Sequence, residues 1–161
     1  MEMLRSLHSG AMSALPGHVA VIGGGNSAFD AARAAVRLGA ESVTIYYRRE
    51  RGDMPASLSE IREAEEEGVR IEFRCAPSRI AVKDGKAAGL TLIRMKMGKP
   101  DRSGRRRPEP IAGSEFAVPA ERVIVAIGQQ PHLSGLQDHV KTDSAGRVSV
   151  DKKFTAAHPN V

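Results

Sequence analysis

Residues 19–33 read VAVIGGGNSAFDAAR. Val19–Ile22 is apolar at four successive positions, the pattern of a strand buried on both faces, as in a parallel sheet. Three glycines break the run. From Asn26 to Leu38 small residues dominate, with alanine at 28, 31, 32, 34 and 35, and Gly39 stands where a helix closes in left-handed backbone. The stretch therefore predicts strand, tight turn and helix.

The same grammar continues outward. Val43–Tyr47 is rich in β-branched and aromatic residues and predicts a second strand. Ser57-x-x-Glu60 is a capping box that opens a second helix, running to Glu67 and closed by Gly68. Leu58, Ile61 and Ala64 are spaced by three and are expected on one face. Val69–Phe73 predicts a third strand. The order β-α-β-α-β implies a parallel sheet with helical crossovers. Then the rhythm changes. Arg79–Val82, the turn Asp84-Gly85 and Ala88–Met97 read as a hairpin, its second arm partly alternating through Leu90, Leu92, Ile93, Met95 and Met97. Ser114–Val118 adds a third arm, giving an antiparallel meander. Val123–Ile127 is a last buried strand ending at Gly128. Arg147–Val150 is a weaker strand candidate, and Met3–Leu7 is expected to form one helical turn.

The glycine turn carries chemistry. Gly23–Ala28 fits G-x-G-x-x-G/A. The first glycine, Gly23, permits a tight turn, and the second, Gly25, permits close approach of a pyrophosphate. The small Ala28 lets helix and strand pack closely. The helix start then offers amides and partial positive charge to phosphates. The motif is weak alone and stronger here, between an apolar strand and an alanine-rich helix. Twenty positions after Ala28, where an acidic residue would hold a ribose 2′-hydroxyl, stand Arg48 and Arg49, with Arg51 as a third candidate. Guanidinium groups there bind a 2′-phosphate, so the expected cofactor is NADPH. A plainer reading stays open: the arginines decorate a strand end and Glu50 pairs with one of them.

Composition limits the alternatives. A chain of 161 residues predicts one domain of ordinary size. With 41% hydrophobic and 27% charged residues it reads as soluble and globular, and no apolar run approaches a bilayer span. The start, MEMLRSLHSG, lacks a signal peptide's apolar core. Cys75 is the single cysteine. It excludes an internal disulfide and a CxxC pair, reads as a small packing residue on or just after the third strand, and fits a reducing cytoplasm. The charge of +5 invites a nucleic-acid reading. However, much of the excess sits in Arg102–Arg107 between prolines, and aromatics are 4%, too few for a stacking platform. That run reads as a solvated loop, with a partner-docking patch or non-specific polyanion binding as alternatives. No nucleic-acid or membrane partner is expected. The five histidines show no ligand spacing, no metal site is expected, and no nucleophile stands with a base, so no catalytic residue is expected.

Several blocks taken together resemble a known family: GGGNSAFDAARAAVRLGAESVTIYYRR (23–49), MPAS (54–57), EAEEEGV (63–69), VIVAIGQQP (123–131) and T-x-x-x-P-N-V (155–161). In this order they resemble the small (beta) subunit of NADPH-dependent glutamate synthase and its relatives, FAD-dependent pyridine-nucleotide oxidoreductases. The likeness runs from Leu4 to Val161. It implies an α/β, Rossmann-like, three-layer NAD(P)-binding domain, with helices on one side of a parallel sheet and a three-stranded antiparallel β-meander on the other. It implies a lead-in (1–17), an NADPH-binding domain (18–131) and a return segment (132–161), both flanks belonging to an FAD domain. The family's FAD-binding glycine turn and its Gly-Asp element after P-N-V are not in this sequence. The resemblance thus implies a domain taken from a larger flavoenzyme, FAD being bound only in the full-length protein and the isolated domain inactive. It also implies a large subunit or an iron–sulfur acceptor as partner.

Carried over by position, Gly23, Gly25, Asn26, Ser27 and Ala28 face the pyrophosphate, Arg48, Arg49 and Arg51 the 2′-phosphate, and Gly128 and Gln129 the nicotinamide end. Asp30 matches an acidic family position. A buried paired carboxylate and a contact near the nicotinamide are both open for it. The alternatives are the NADPH domain of a thioredoxin-reductase-like flavoenzyme, disfavoured because residues 1–22 hold no cysteine, and a stand-alone nucleotide sensor.

Overall fold

The computed structural model describes residues 13–100, 106–128, 140–143 and 146–151. The expected turn at Met3–Leu7 lies outside them. The chain divides into two compact units, Met1–Ile127 and Gly128–Val161.

In the first unit, β1 (His18–Gly23), β2 (Ser42–Tyr47), β3 (Arg70–Phe73) and β7 (Arg122–Ala126) form a parallel sheet in the order β3-β2-β1-β7. Helices α1 (Asn26–Arg37) and α2 (Leu58–Glu66) connect the first three strands. Strands β4 (Cys75–Lys83), β5 (Lys86–Pro100) and β6 (Arg106–Val118) form the antiparallel meander.

The unbroken apolar run of β1 is explained by what lies on each face. Val19 and Val21 pack with Phe29, Ala32 and Ala35 of α1 and Ile61 of α2. Ala20 and Ile22 pack with Leu90, Leu92 and Cys75 of the meander. Helices, parallel sheet and meander are thus three layers with two apolar seams. Phe29 is fully buried, and burying such a side chain contributes about 1.5–3 kcal/mol.

Several details differ from the sequence expectation. Leu58 does not share the buried face of Ile61 and Ala64; it is 82% exposed, at the first position of α2. Only half of the capping box forms: Ser57 Oγ accepts from the amide of Glu60 at 3.3 Å, while the Glu60 carboxylate is drawn to Arg33 at 3.1 Å. Strands β4 and β5 are longer than expected. β6 outgrows its expected range the most, and Arg106 and Arg107 belong to it rather than to a loop; residues 101–105 lie outside the described set. Pro77, Pro108 and Pro110 sit on β4 and β6, the edge strands of the meander, where no inner ladder bond is lost. Asp84 and Gly85 are both left-handed, at φ +51° and +71°, as a type I′ hairpin turn requires. In the second unit, Arg147–Val150 is not a regular strand; an isolated bridge joins Thr142 and Val148.

Cys75 opens β4 and is fully buried. Burial, with Glu72 nearby, pushes its thiol up to about 12. The thiolate is the reactive form, so a chromogenic disulfide reagent near neutral pH is expected to label Cys75 only in denaturant; rapid labelling of the native chain contradicts this packing.

Arg33 on α1 ties the two helices together. It reaches Glu60 at 3.1 Å, Glu63 at 3.0 Å and Glu67 at 2.8 Å, and Arg37 also meets Glu67 at 2.8 Å. Hydrogen bonds from Arg33, then Arg37, hold the Glu67 carboxyl below its usual range. A depressed folded-state value stabilises above the ordinary carboxylate value and is lost as pH falls through the lowered one. Glu67→Gln is therefore expected to lower the melting temperature near neutral pH, with the gap to wild type closing in acid. A gap that does not depend on pH counts against this account.

Candidate functional site

The strand register sets the site. Ile22 of β1 lies beside Tyr46 of β2, and Gly23 beside Ala126 of β7. The glycine turn and the Arg48-Arg49 pair therefore leave the same sheet edge from adjacent strands, which lie about 4.8 Å apart.

Each glycine of the turn has its own reason. Gly23 has φ +153°, and a Cβ there would stand 2.4 Å from the Ala126 carbonyl oxygen and 3.2 Å from Cβ of Ala28. Gly24 lies on the Tyr47 ring, with a Cβ only 2.5 Å from it. Gly25, the N-cap of α1, has ordinary backbone angles (φ −93°, ψ 171°), and a Cβ there meets only Pro55 Cγ at 3.9 Å. The protein itself leaves open the space above Gly25. Ala28 is fully buried, as close helix–strand packing demands. Asn26 and Ser27 open the helix, so their amides have no carbonyl one turn back; both residues are exposed.

Two supports of this turn were not recognised in the sequence. The Tyr47 hydroxyl donates to the Asp53 carbonyl at 2.7 Å, so one ring joins the glycine turn to the short 3-10 turn Arg51–Asp53. The segment 54–57 closes over the turn: the Ala56 amide donates to Gly24 O at 3.2 Å, and the Ser57 amide to Asn26 Oδ1 at 3.1 Å. This gives the MPAS block a physical role. The signal available in the sequence was the middle glycine: a glycine at the free position of the motif means that something crowds it.

Arg48 is exposed and Arg49 half-buried. Neither forms an ion pair among the described residues, and Nε of Arg49 is buried without a hydrogen-bond partner there. Glu50 does not pair with its arginine neighbours; its carboxylate meets Arg106 of β6 and also caps the 3-10 turn. Arg51 is engaged elsewhere, paired with Glu65 of α2 and lying 5.6 Å from the centre of the Phe73 ring. Asp30 is exposed, which removes the buried-carboxylate reading. Gly128, of the second unit, has φ +109°, and Gln129 lies outside the described residues. Beside the arginine arm opens a cavity of about 730 Å³, whose lining includes Glu50, Phe73, Arg74, Arg94, Lys96 and Arg106. Among the described residues no helix is long and apolar enough to cross a membrane, and no cluster of three or more His, Cys, Asp or Glu could hold a metal.

Comparison with known proteins follows the same lines. The chain is 46% identical over 155 residues to the NADPH-Fe(3+) oxidoreductase subunit beta of Geobacter sulfurreducens, covering 96% of this chain and 23% of that protein. It is 44% identical to the glutamate synthase [NADPH] small chain of Escherichia coli, covering 89% of this chain and 32% of that one. The chain thus spans between a fifth and a third of these relatives. Its fold matches the crystal structure of Lactococcus lactis thioredoxin reductase, with TM-score 0.67, 24% identity, and 96% of this chain on 45% of that one. The sequence pattern of the pyridine nucleotide-disulphide oxidoreductases matches residues 4–161, and the chain belongs to that family.

Proposed function

We propose that this chain is the NADPH-binding domain of an FAD-dependent oxidoreductase. The pyrophosphate lies over Gly25 and the amides of Asn26 and Ser27, and the 2′-phosphate on Arg48 and Arg49. The observation that carries this is the pairing of an open Gly25 with two arginines that have no carboxylate partner among the described residues, on one sheet edge. The residues fit the nucleotide from both ends: Gly25 is small for no reason internal to the protein, and the buried Arg49 Nε is a donor awaiting an acceptor. Gly23 and Ala28 shape the turn rather than touch the ligand. Arg51 reaches the phosphate only by giving up Glu65.

When bound, NADPH supplies a hydride for a flavin. What the chain's residues do is orient and hold. Tyr47 and the segment 54–57 fix the turn, helix α1 directs its first amides at the phosphates, and the arginines select the 2′-phosphate. Gly128 and Gln129 are proposed to border the nicotinamide end. Residues 1–17 and 132–161 are proposed to belong to an FAD domain, which brings the flavin. Relatives with different names share this stretch at 44–46% identity. That fits one NADPH module serving different acceptors, with a large subunit or an iron–sulfur protein as the next partner and the cytoplasm as the setting.

The purified chain is expected to bind NADPH, to carry no flavin absorbance, and not to oxidise NADPH with an artificial electron acceptor. A yellow chain that oxidises NADPH unaided overturns this division of labour; failure to bind NADPH overturns the assignment itself.

A further inference from the structure

Glu50 sets an electrostatic problem for the proposed arm. It directly follows Arg48 and Arg49, and a carboxylate there opposes a phosphate carrying up to two negative charges. It also competes for the guanidinium groups that should bind that phosphate. The structure meets the problem from a distance: Arg106, first residue of β6 and 56 positions along the chain, pairs with the Glu50 carboxylate. The partner is delivered by the meander, whose β5–β6 ladder extends to Pro100 and Arg106. A second pair ties the meander to the parallel sheet, because Arg94 of β5 meets Glu72 of β3 and lies 4.2 Å from the centre of the Phe116 ring. Both carboxylates lining the cavity are thus matched by cations from β5 and β6. The Glu50 and Arg106 side chains are 40% and 46% exposed, so their pair adds little to stability. Its consequence lies in what it does to the charge of the arm.

Resting on the reading of Arg48 and Arg49 as the 2′-phosphate site, we propose that Arg106 is a specificity-determining positioning residue: it holds the Glu50 carboxylate and so keeps Arg48 and Arg49 free for the 2′-phosphate. Without it, Glu50 turns on its arginine neighbours and the preference for NADPH over NADH falls.

The test is calorimetric affinity for NADPH and NADH in wild type, Arg106→Gln, Glu50→Gln and the double variant, with melting temperatures recorded for each. Glu50→Gln keeps an amide oxygen to cap the 3-10 turn. Arg106→Gln is expected to weaken NADPH binding about fivefold to tenfold, the scale of one unit-charge interaction across about 3–4 Å in a water-like dielectric, and to leave NADH binding and the melting temperature unchanged. Glu50→Gln is expected to bind NADPH at least as well as wild type, and the double variant to return to wild-type affinity. Unchanged NADPH affinity in Arg106→Gln overturns the proposal. A double variant as weak as Arg106→Gln also overturns it, since Arg106 would then act on the phosphate itself. A wild type that does not discriminate between the two nucleotides removes the underlying reading, and the proposal with it, before any variant is compared.

Discussion

Replacing Arg48 and Arg49 together by alanine is expected to weaken NADPH binding by at least about a hundredfold, while NADH binding stays within a few-fold of wild type. The argument is one of charge and geometry. A hydrogen bond to a charged group contributes about 1.5–3 kcal/mol, so losing one from each arginine removes about 3 kcal/mol even at the low end, and about 1.4 kcal/mol is a factor of ten. NADH lacks the 2′-phosphate and loses nothing specific. Stability is expected to hold, because neither side chain makes an ion pair among the described residues and Arg48 is exposed. Isothermal calorimetry with both nucleotides checks it. Equal losses for NADPH and NADH would move these arginines away from the 2′-phosphate.

The second large effect separates two glycines that stand two positions apart. Gly23→Ala forces a methyl to 2.4 Å from the Ala126 carbonyl oxygen at φ +153°. Backbone strain and overpacking are each of order 1–3 kcal/mol, so a loss of about 3 kcal/mol is expected, or roughly 6–12 °C in melting temperature for a chain of this size. Gly25→Ala meets only Pro55 at 3.9 Å in backbone that alanine adopts freely. It is expected to melt like wild type and yet bind NADPH roughly tenfold more weakly or worse, because the methyl occupies the path of the pyrophosphate. The two variants therefore divide the motif into a folding glycine and a binding glycine. Thermal melts combined with nucleotide titration read both. If Gly25→Ala binds normally, the open space above Gly25 is not the phosphate seat.

The division also shows what was legible in the sequence. Strand β1, the turn and helix α1 could be read because each obeys a local rule: both faces of β1 are covered, so its apolar run is unbroken, and the alanines of α1 pack close against it. The position of Arg48 and Arg49 at the end of β2 could be read from spacing alone. The long arms of the meander could not. Much of β6 is exposed, so it carries no strong apolar alternation, and Pro108 and Pro110 look like breaks unless the strand is known to be an edge. Leu58 misled because spacing tells which residues share a face, not where along the helix that face meets its neighbour. The contacts that complete the site were least legible of all. Tyr47 beneath Gly24, Asn26 holding Ser57, and Arg106 on Glu50 join positions 23, 31 and 56 apart in sequence, and no local pattern encodes them.

The measurement that bears most directly on the central claim is a crystal structure of the chain with NADP⁺ bound. The pyrophosphate is expected over Gly25 against the amides of Asn26 and Ser27, with the 2′-phosphate hydrogen-bonded to Arg48 and Arg49. A nucleotide bound away from the glycine turn, or one whose 2′-phosphate points to solvent with both arginines turned aside, contradicts the account.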